Sequence, residues 1–345
     1  MAGKDSALLR SGKTPEQIVG DRDMSFVIRG MKTAVFAAML WGIYGVFMSG
    51  ATGMTPFNGS YGLLSVPVAA GFIEEVSCAI FMFIYNWKAG KLKEYGRSIR
   101  TKSGRLIMLG GVIGAPIALT GSTAAIIMCG PGYALCVTAM YPVVGSILSA
   151  IFLKEKTSLR FWIGVIMCVA GGFVLSYTPP EGTNPSTFYL GIAFAIVACL
   201  GWGAEGVISG YGTDTIDTDV GSGLRFIAAA VVYMIILPFV GGTTVLAKAI
   251  TINPIAIGAI VVTSCFGALS TNYWYRAFGM TGVARALACN GTYGMWGIVF
   301  SAILAIFGLA SFEFTPTLGI GCVISIIGII FAVGNPKEML ELRKN

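Results

Sequence analysis

The chain has 345 residues, 55% of them hydrophobic and only 11% charged, with a formal charge of +7 and a mean hydropathy of +0.80. So little polar surface excludes a water-soluble monomer, and repeated apolar runs long enough to cross a hydrocarbon core of about 30 Å make the bilayer its solvent. The sequence has no histidine, which removes histidine relays, histidine metal ligands and Ser/Cys–His nucleophile pairs. All eight cysteines (78, 129, 136, 168, 199, 265, 289 and 322) fall in apolar segments without C-x-x-C spacing, so neither a disulfide framework nor a metal site is expected. There is no Walker A sequence and no G-x-G-x-x-G after a strand, and we expect neither a cofactor nor an enzyme.

Residues 1–32 are polar and of mixed charge, unlike a secretory signal peptide, and Thr14-Pro15-Glu16-Gln17 has the form of a capping box that could start a short interfacial helix. Ten apolar spans follow, at 34–54, 62–86, 106–128, 132–152, 160–177, 188–210, 224–241, 253–276, 283–305 and 316–334. Each has roughly the 18–25 residues that a transmembrane helix needs. Most connections are short turns such as Gly130-Pro131-Gly132, and only 87–105 is long and charged, with Ser103 as the expected cap of the third span. Pro67, Pro116 and Pro142 lie inside spans, where each would interrupt a backbone hydrogen bond.

Placing the N-terminus inside puts 22 of the 23 lysines and arginines on the inner side and leaves only Lys248 outside. That asymmetry predicts a multi-pass protein of the cell's inner (plasma) membrane with both termini cytoplasmic. The basic blocks are then topology signals in contact with lipid headgroups, and no nucleic-acid partner is expected.

The chain also repeats itself. Trp41-Gly42-Ile43-Tyr44-Gly45 returns as Trp202-Gly203-Ala204-Glu205-Gly206. Ala134-Leu135, Tyr141 and Ser149-Ala150 return at a constant offset of 152 as Ala286-Leu287, Tyr293 and Ser301-Ala302. We expect an all-α polytopic protein of ten transmembrane helices in two five-helix repeats, 33–178 and 188–334, between an N-terminal tail (1–32) and a C-terminal tail (335–345). An odd number of spans per repeat makes the two copies inverted, a plan that places a binding site at their interface near the midplane.

Three carboxylates fall within spans: Glu74, Glu75 and Glu205. Charge at that depth is expensive unless it meets water, a substrate, a proton or a partner, so each is a candidate site residue; capping an irregular backbone or pairing with Arg285 or Arg225 is the alternative. Glu74 and Glu75 point about 100° apart on a helix, and one of them is expected to face the cavity. Aromatic residues usually mark the membrane interfaces, but Trp41, Tyr141, Trp202, Tyr233, Tyr293 and Trp296 lie deeper. Rings beside carboxylates suit a quaternary ammonium held by cation–π attraction, with core packing of the rings as the alternative.

Ala139-Met140-Tyr141-Pro142-Val143-Val144, followed by Phe152-Leu153-Lys154-Glu155-Lys156, together with the ten spans and their 5+5 repeat, resembles the drug/metabolite transporter superfamily, EamA type. Gly114-Ala115-Pro116, Gly201-Trp202-Gly203-Ala204-Glu205, Arg225 with Tyr233, and Ala284-Arg285-Ala286 followed by Asn290 and Tyr293 are similar to the bacterial Lic-type choline permeases. The resemblance covers nearly all of 33–334. It implies uptake of choline or a related quaternary amine by alternating access, with Trp41, Tyr141, Trp202, Tyr233 and Tyr293 as the cage and Glu205 with Glu74 or Glu75 supplying charge and a place for a coupling proton. Two other readings are an exporter of other small metabolites or drugs and, more remotely, a non-transporting scaffold or receptor docked through the basic loop 87–105.

Overall fold

The computed structural model describes residues 15–129, 134, 137, 138, 140–154, 157–176, 185–307 and 316–333. Among these the only regular structure is helical. The helices are α1 (Pro15–Thr52), α2 (Ser65–Lys88), α3 (Leu92–Ile99), α4 (Lys102–Val112), α5 (Thr120–Cys129), α6 (Tyr141–Leu148), α7 (Leu159–Ser176), α8 (Pro185–Thr213), α9 (Thr218–Ile236), α10 (Gly242–Ile252), α11 (Pro254–Thr281), α12 (Val283–Asn290), α13 (Tyr293–Ile306) and α14 (Pro316–Val333). Two π-helices intervene, Ile113–Leu119 between α4 and α5 and Ser149–Leu153 after α6.

Seven stretches are long and apolar enough to cross a membrane: Met24–Thr52, Ser65–Lys88, Lys102–Ala125, Ser186–Thr213, Thr218–Ile236, Pro254–Thr281 and Val283–Ile306. Apolar helices also lie where the fourth, fifth and tenth spans were expected, as Tyr141–Leu153, α7 and α14. A further one, Gly242–Ile252, falls between expected spans. Large apolar side chains such as Ile80, Phe83, Ile166, Val262 and Ile330 point outward, as they must where the surrounding solvent is lipid. The protein is a multi-pass membrane protein.

Several local expectations change. Helix α1 runs unbroken from Pro15 through the first span, so the stretch from Pro15 is continuous with that span and not a separate short helix; Thr14 and the tail before it lie outside the described residues. Thr101, not Ser103, caps α4: its backbone is extended and its Oγ1 accepts the Gly104 N–H at 3.0 Å. Pro116 sits inside the first π-helix, which widens the turn around a residue that cannot donate. Pro142 and Pro67 lie in the first turns of α6 and α2, where no intrahelical partner is lost.

Packing is pairwise. α7 lies along α14, α1 along α11, α2 along α9, and α8 along both α4 and α5. In addition α13 packs on α1 and α6 on α8, while α2 meets α11 and α9 meets α4. The glycine after each tryptophan of the repeated motif permits two of these contacts. A Cβ on Gly42 would stand 2.8 Å from the backbone nitrogen of Gly297 in α13, and one on Gly203 would stand 3.0 Å from that of Gly145 in α6. These close crossings bring Trp41 and Trp202 over the centre of the molecule.

One end of α2, α9 and α11 is tied by a polar network centred on Asp219. Its carboxylate accepts from Lys91 at 2.5 Å, from Asn272 at 2.9 Å and from Arg276, while Asn86 donates to its backbone carbonyl and to the Tyr95 hydroxyl. Burial acts to lower the pKa of Lys91, but the hydrogen bonds to Asp217 and Asp219 outweigh it and hold the amine above its ordinary range. A raised lysine pKa adds stability that is complete below the unfolded value and fades only as pH rises through the folded one, so this arm of the network is intact at neutral pH. Burial also pushes the Tyr95 phenol up to about 12, against the hydrogen bond from Asn86. Asp219→Asn is expected to lower stability by about 1–3 kcal/mol, because the amide keeps one acceptor oxygen, turns the other into a donor and removes the negative charge that two cations share. Thermal unfolding in detergent micelles measures this, and an unchanged midpoint would remove the network from the account of stability.

Candidate functional site

A cleft with about 480 Å³ of empty space, open solvent included, lies between α1, α6, α8, α11 and α13, and its walls are largely aromatic: Trp41, Tyr141, Trp202, Trp274 and Tyr293. Glu205, Arg225, Ser270, Thr271 and Asn290 complete the lining. A smaller chamber of about 260 Å³ shares Trp41, Trp202, Arg225 and Thr271 with it and reaches Glu74 and Glu75.

The rings are held by different means. Trp41 stacks on Tyr44, one turn on in α1, with centroids 4.5 Å apart and planes at 22°. Trp202 donates its indole N–H to the Gly114 carbonyl of the first π-helix at 2.9 Å. Tyr141 meets Trp202 edge-on at 6.2 Å and lies 6.5 Å from Tyr293, and Asn290 donates to the Tyr141 hydroxyl at 3.1 Å. Tyr141 and Tyr293 each open a helix, α6 and α13, so both rings sit where a helix begins in the middle of the bundle.

The charges converge on Arg225 of α9. Its Nη1 donates to both oxygens of Glu75 at 2.6 and 2.7 Å, and its Nε donates to Glu205 at 2.9 Å. All three side chains are buried. The fixed fork of a guanidinium lets one residue satisfy two carboxylates from different helices. Glu205 also lies against the bare backbone of Gly114, where any side chain would collide with its carboxylate. Glu74 is likewise buried, and it stands near Gly267, against which the Tyr44 ring also packs. Two carboxylates thus share a single guanidinium, and Glu74 lines the same chamber as Glu75, Arg225 and Trp41.

Of the residues singled out in the sequence, Trp41, Tyr141, Trp202, Glu205 and Tyr293 line the larger cavity and Glu74 and Glu75 the smaller. Both glutamates of the pair reach the same chamber, against the expectation that only one would. Tyr233 lines neither cavity. It is fully buried, donates to the Ala115 carbonyl at 2.9 Å and pairs with Thr120 at 3.0 Å, so the irregular backbone beside Pro116 takes its hydroxyl. Trp296 also lies away from both linings, against Gly42. Trp274, Ser270, Thr271 and Asn290 enter the site without having been chosen, and Arg225 enters as the ion-pair partner that was the alternative reading of the glutamates. For Arg225 the available signal was its depth within an apolar span, the same criterion applied to the glutamates.

Comparison with known proteins agrees with this architecture. Residues 28–177 match the EamA-like transporter family. Protein LicB of Haemophilus influenzae is 23% identical over 277 residues, which is 80% of this chain and 89% of its own. One solved crystal structure shares the fold with a TM-score of 0.64 at 16% identity, over 92% of this chain and 98% of the other. The resemblance to the drug/metabolite transporter superfamily, EamA type, and to a Lic-type protein within it therefore holds.

Proposed function

We propose that this membrane protein, EamA-like over residues 28–177, is an alternating-access transporter of choline or a related quaternary amine. One observation carries the reading: the cavity presents aromatic rings on several sides, next to two buried carboxylates, Glu75 and Glu205, that share one guanidinium, with a third, Glu74, in the adjoining chamber. A quaternary ammonium offers no hydrogen bond, so ring faces are its best walls, and the unbalanced carboxylate charge favours a cation inside. Similarity to LicB supports the direction of this choice.

The mechanism rests on two inverted five-helix repeats, and the packing supports that plan. If the first five spans are exchanged for the second five, the pairing of α1 with α11 becomes that of α8 with α4, and α13 on α1 becomes α6 on α8. The pairing of α2 with α11 becomes that of α9 with α4, while α2 with α9 and α7 with α14 map onto themselves. Trp41 and Trp202 are then equivalent walls, as are Tyr141 and Tyr293, and rocking one half against the other about them would expose the cavity to each side in turn. With both termini in the cytoplasm, a permanent cation entering a negative interior gains about 2.3 kcal/mol per 100 mV. A second ion is therefore optional for uptake.

Proteoliposomes holding an inside-negative potassium diffusion potential should accumulate labelled choline saturably, and collapse of the potential should abolish accumulation. Export of a different small molecule with no choline flux in either direction would replace this reading with that of a metabolite or drug exporter.

A further inference from the structure

Two residues that line the aromatic cavity carry polar groups that are unused. Trp274 is 7% exposed and lines the cavity, yet its indole N–H meets no acceptor. Asn290 lines the same cavity; its amide nitrogen is spent on the Tyr141 hydroxyl, and its Oδ1, sealed from solvent, has no donor. Buried polar atoms without partners are rare and cost about 1–3 kcal/mol each, so two on one cavity need a reason. Packing does not supply one: Trp274 is held by edge-on contact with Phe278, centroids 4.8 Å apart, and its ring would serve equally well there as phenylalanine.

We propose that Trp274 and Asn290 read a hydroxyl group on the substrate, which makes them the residues that set specificity within the quaternary amines. A hydroxyl oxygen accepts from the Trp274 indole while its proton goes to the Asn290 carbonyl. Were the Asn290 amide turned over, the free group would be an N–H₂, and a hydroxyl oxygen, with two lone pairs, would accept from both donors. An alkyl group leaves both protein atoms unpaired. A carboxylate satisfies the indole but brings negative charge beside Glu205. The substrate is thus an amino alcohol with its hydroxyl a short chain away from the ammonium. This rests on the cage reading above and adds to it a chemical requirement on a second group of the ligand.

The test compares choline with n-propyltrimethylammonium, which has a methyl group in place of the hydroxyl, by equilibrium binding to the purified full-length protein. The intact protein is expected to prefer choline by about ten- to a hundredfold. In Trp274→Phe, and separately in Asn290→Leu, the ratio is expected to fall to within about threefold. Equal affinities in the intact protein overturn the proposal without any variant, as does a preference that survives both substitutions. If neither cation binds the intact protein, the cage reading fails and takes this inference with it. Equal, saturable binding of both would leave the cage standing and remove only the hydroxyl reader.

Discussion

Arg225→Met will destabilise the protein by about 3–5 kcal/mol, the largest effect expected of any single change at the cavity. The guanidinium is the sole cation hydrogen-bonded to Glu75 and Glu205 among the described residues, and both carboxylates are buried. Removing it leaves two like charges facing each other in a medium of low dielectric. Arg225→Lys should be nearly as damaging, because a single ammonium nitrogen cannot stand both where Nη1 meets Glu75 and where Nε meets Glu205. The cost lies in the orphaned acceptors, not in the loss of arginine as such. Neutralising them in the triple variant Glu75→Gln, Glu205→Gln, Arg225→Met should therefore restore most of the lost stability. Thermal midpoints in detergent for the single, double and triple variants yield the coupling directly. A single Arg225→Met variant as stable as the intact protein would show that the triad is not buried as described.

The same triad marks how far the sequence could be read. Depth in an apolar span flagged all three glutamates, and that signal is local. Which of them an arginine would meet is not local: Arg225 is 20 residues from Glu205 and 150 from Glu75 in sequence, and the meeting depends on how α2, α8 and α9 cross. The repeated Trp-Gly motif was legible for the opposite reason, since both of its functions, a wide ring and a bare backbone next to it, are properties of adjacent residues. Tyr233 went the other way. Its depth matched that of the cage tyrosines, but the π-helix around Pro116 offered a carbonyl to its hydroxyl, and spacing gives no sign of that. Trp274 stood unchosen beside Tyr275 because two adjacent aromatics on one helix do not say which faces the cavity.

Trp41→Ala and Trp202→Ala will each weaken binding of a quaternary amine by about thirtyfold, corresponding to the roughly 2 kcal/mol of a desolvated cation–π contact. Replacement by phenylalanine separates the two. At position 41 a phenyl ring can still stack on Tyr44, as the indole does at 4.5 Å, so Trp41→Phe should retain most of the affinity. At position 202 the ring is oriented by its N–H bond to the Gly114 carbonyl, and phenylalanine cannot make that bond. Trp202→Phe loses the orientation, leaves a π-helix carbonyl one donor short, and should fall close to the alanine variant. The inverted repeat makes the two walls equivalent in position, but the π-helix makes them unequal in support, so the aromatic series is expected to be asymmetric. Equilibrium binding of choline to the four variants reads this out. Equal behaviour of the two phenylalanine variants would mean that the Trp202–Gly114 bond does not orient the ring, and no loss in either alanine variant would mean that the rings do not hold the cation.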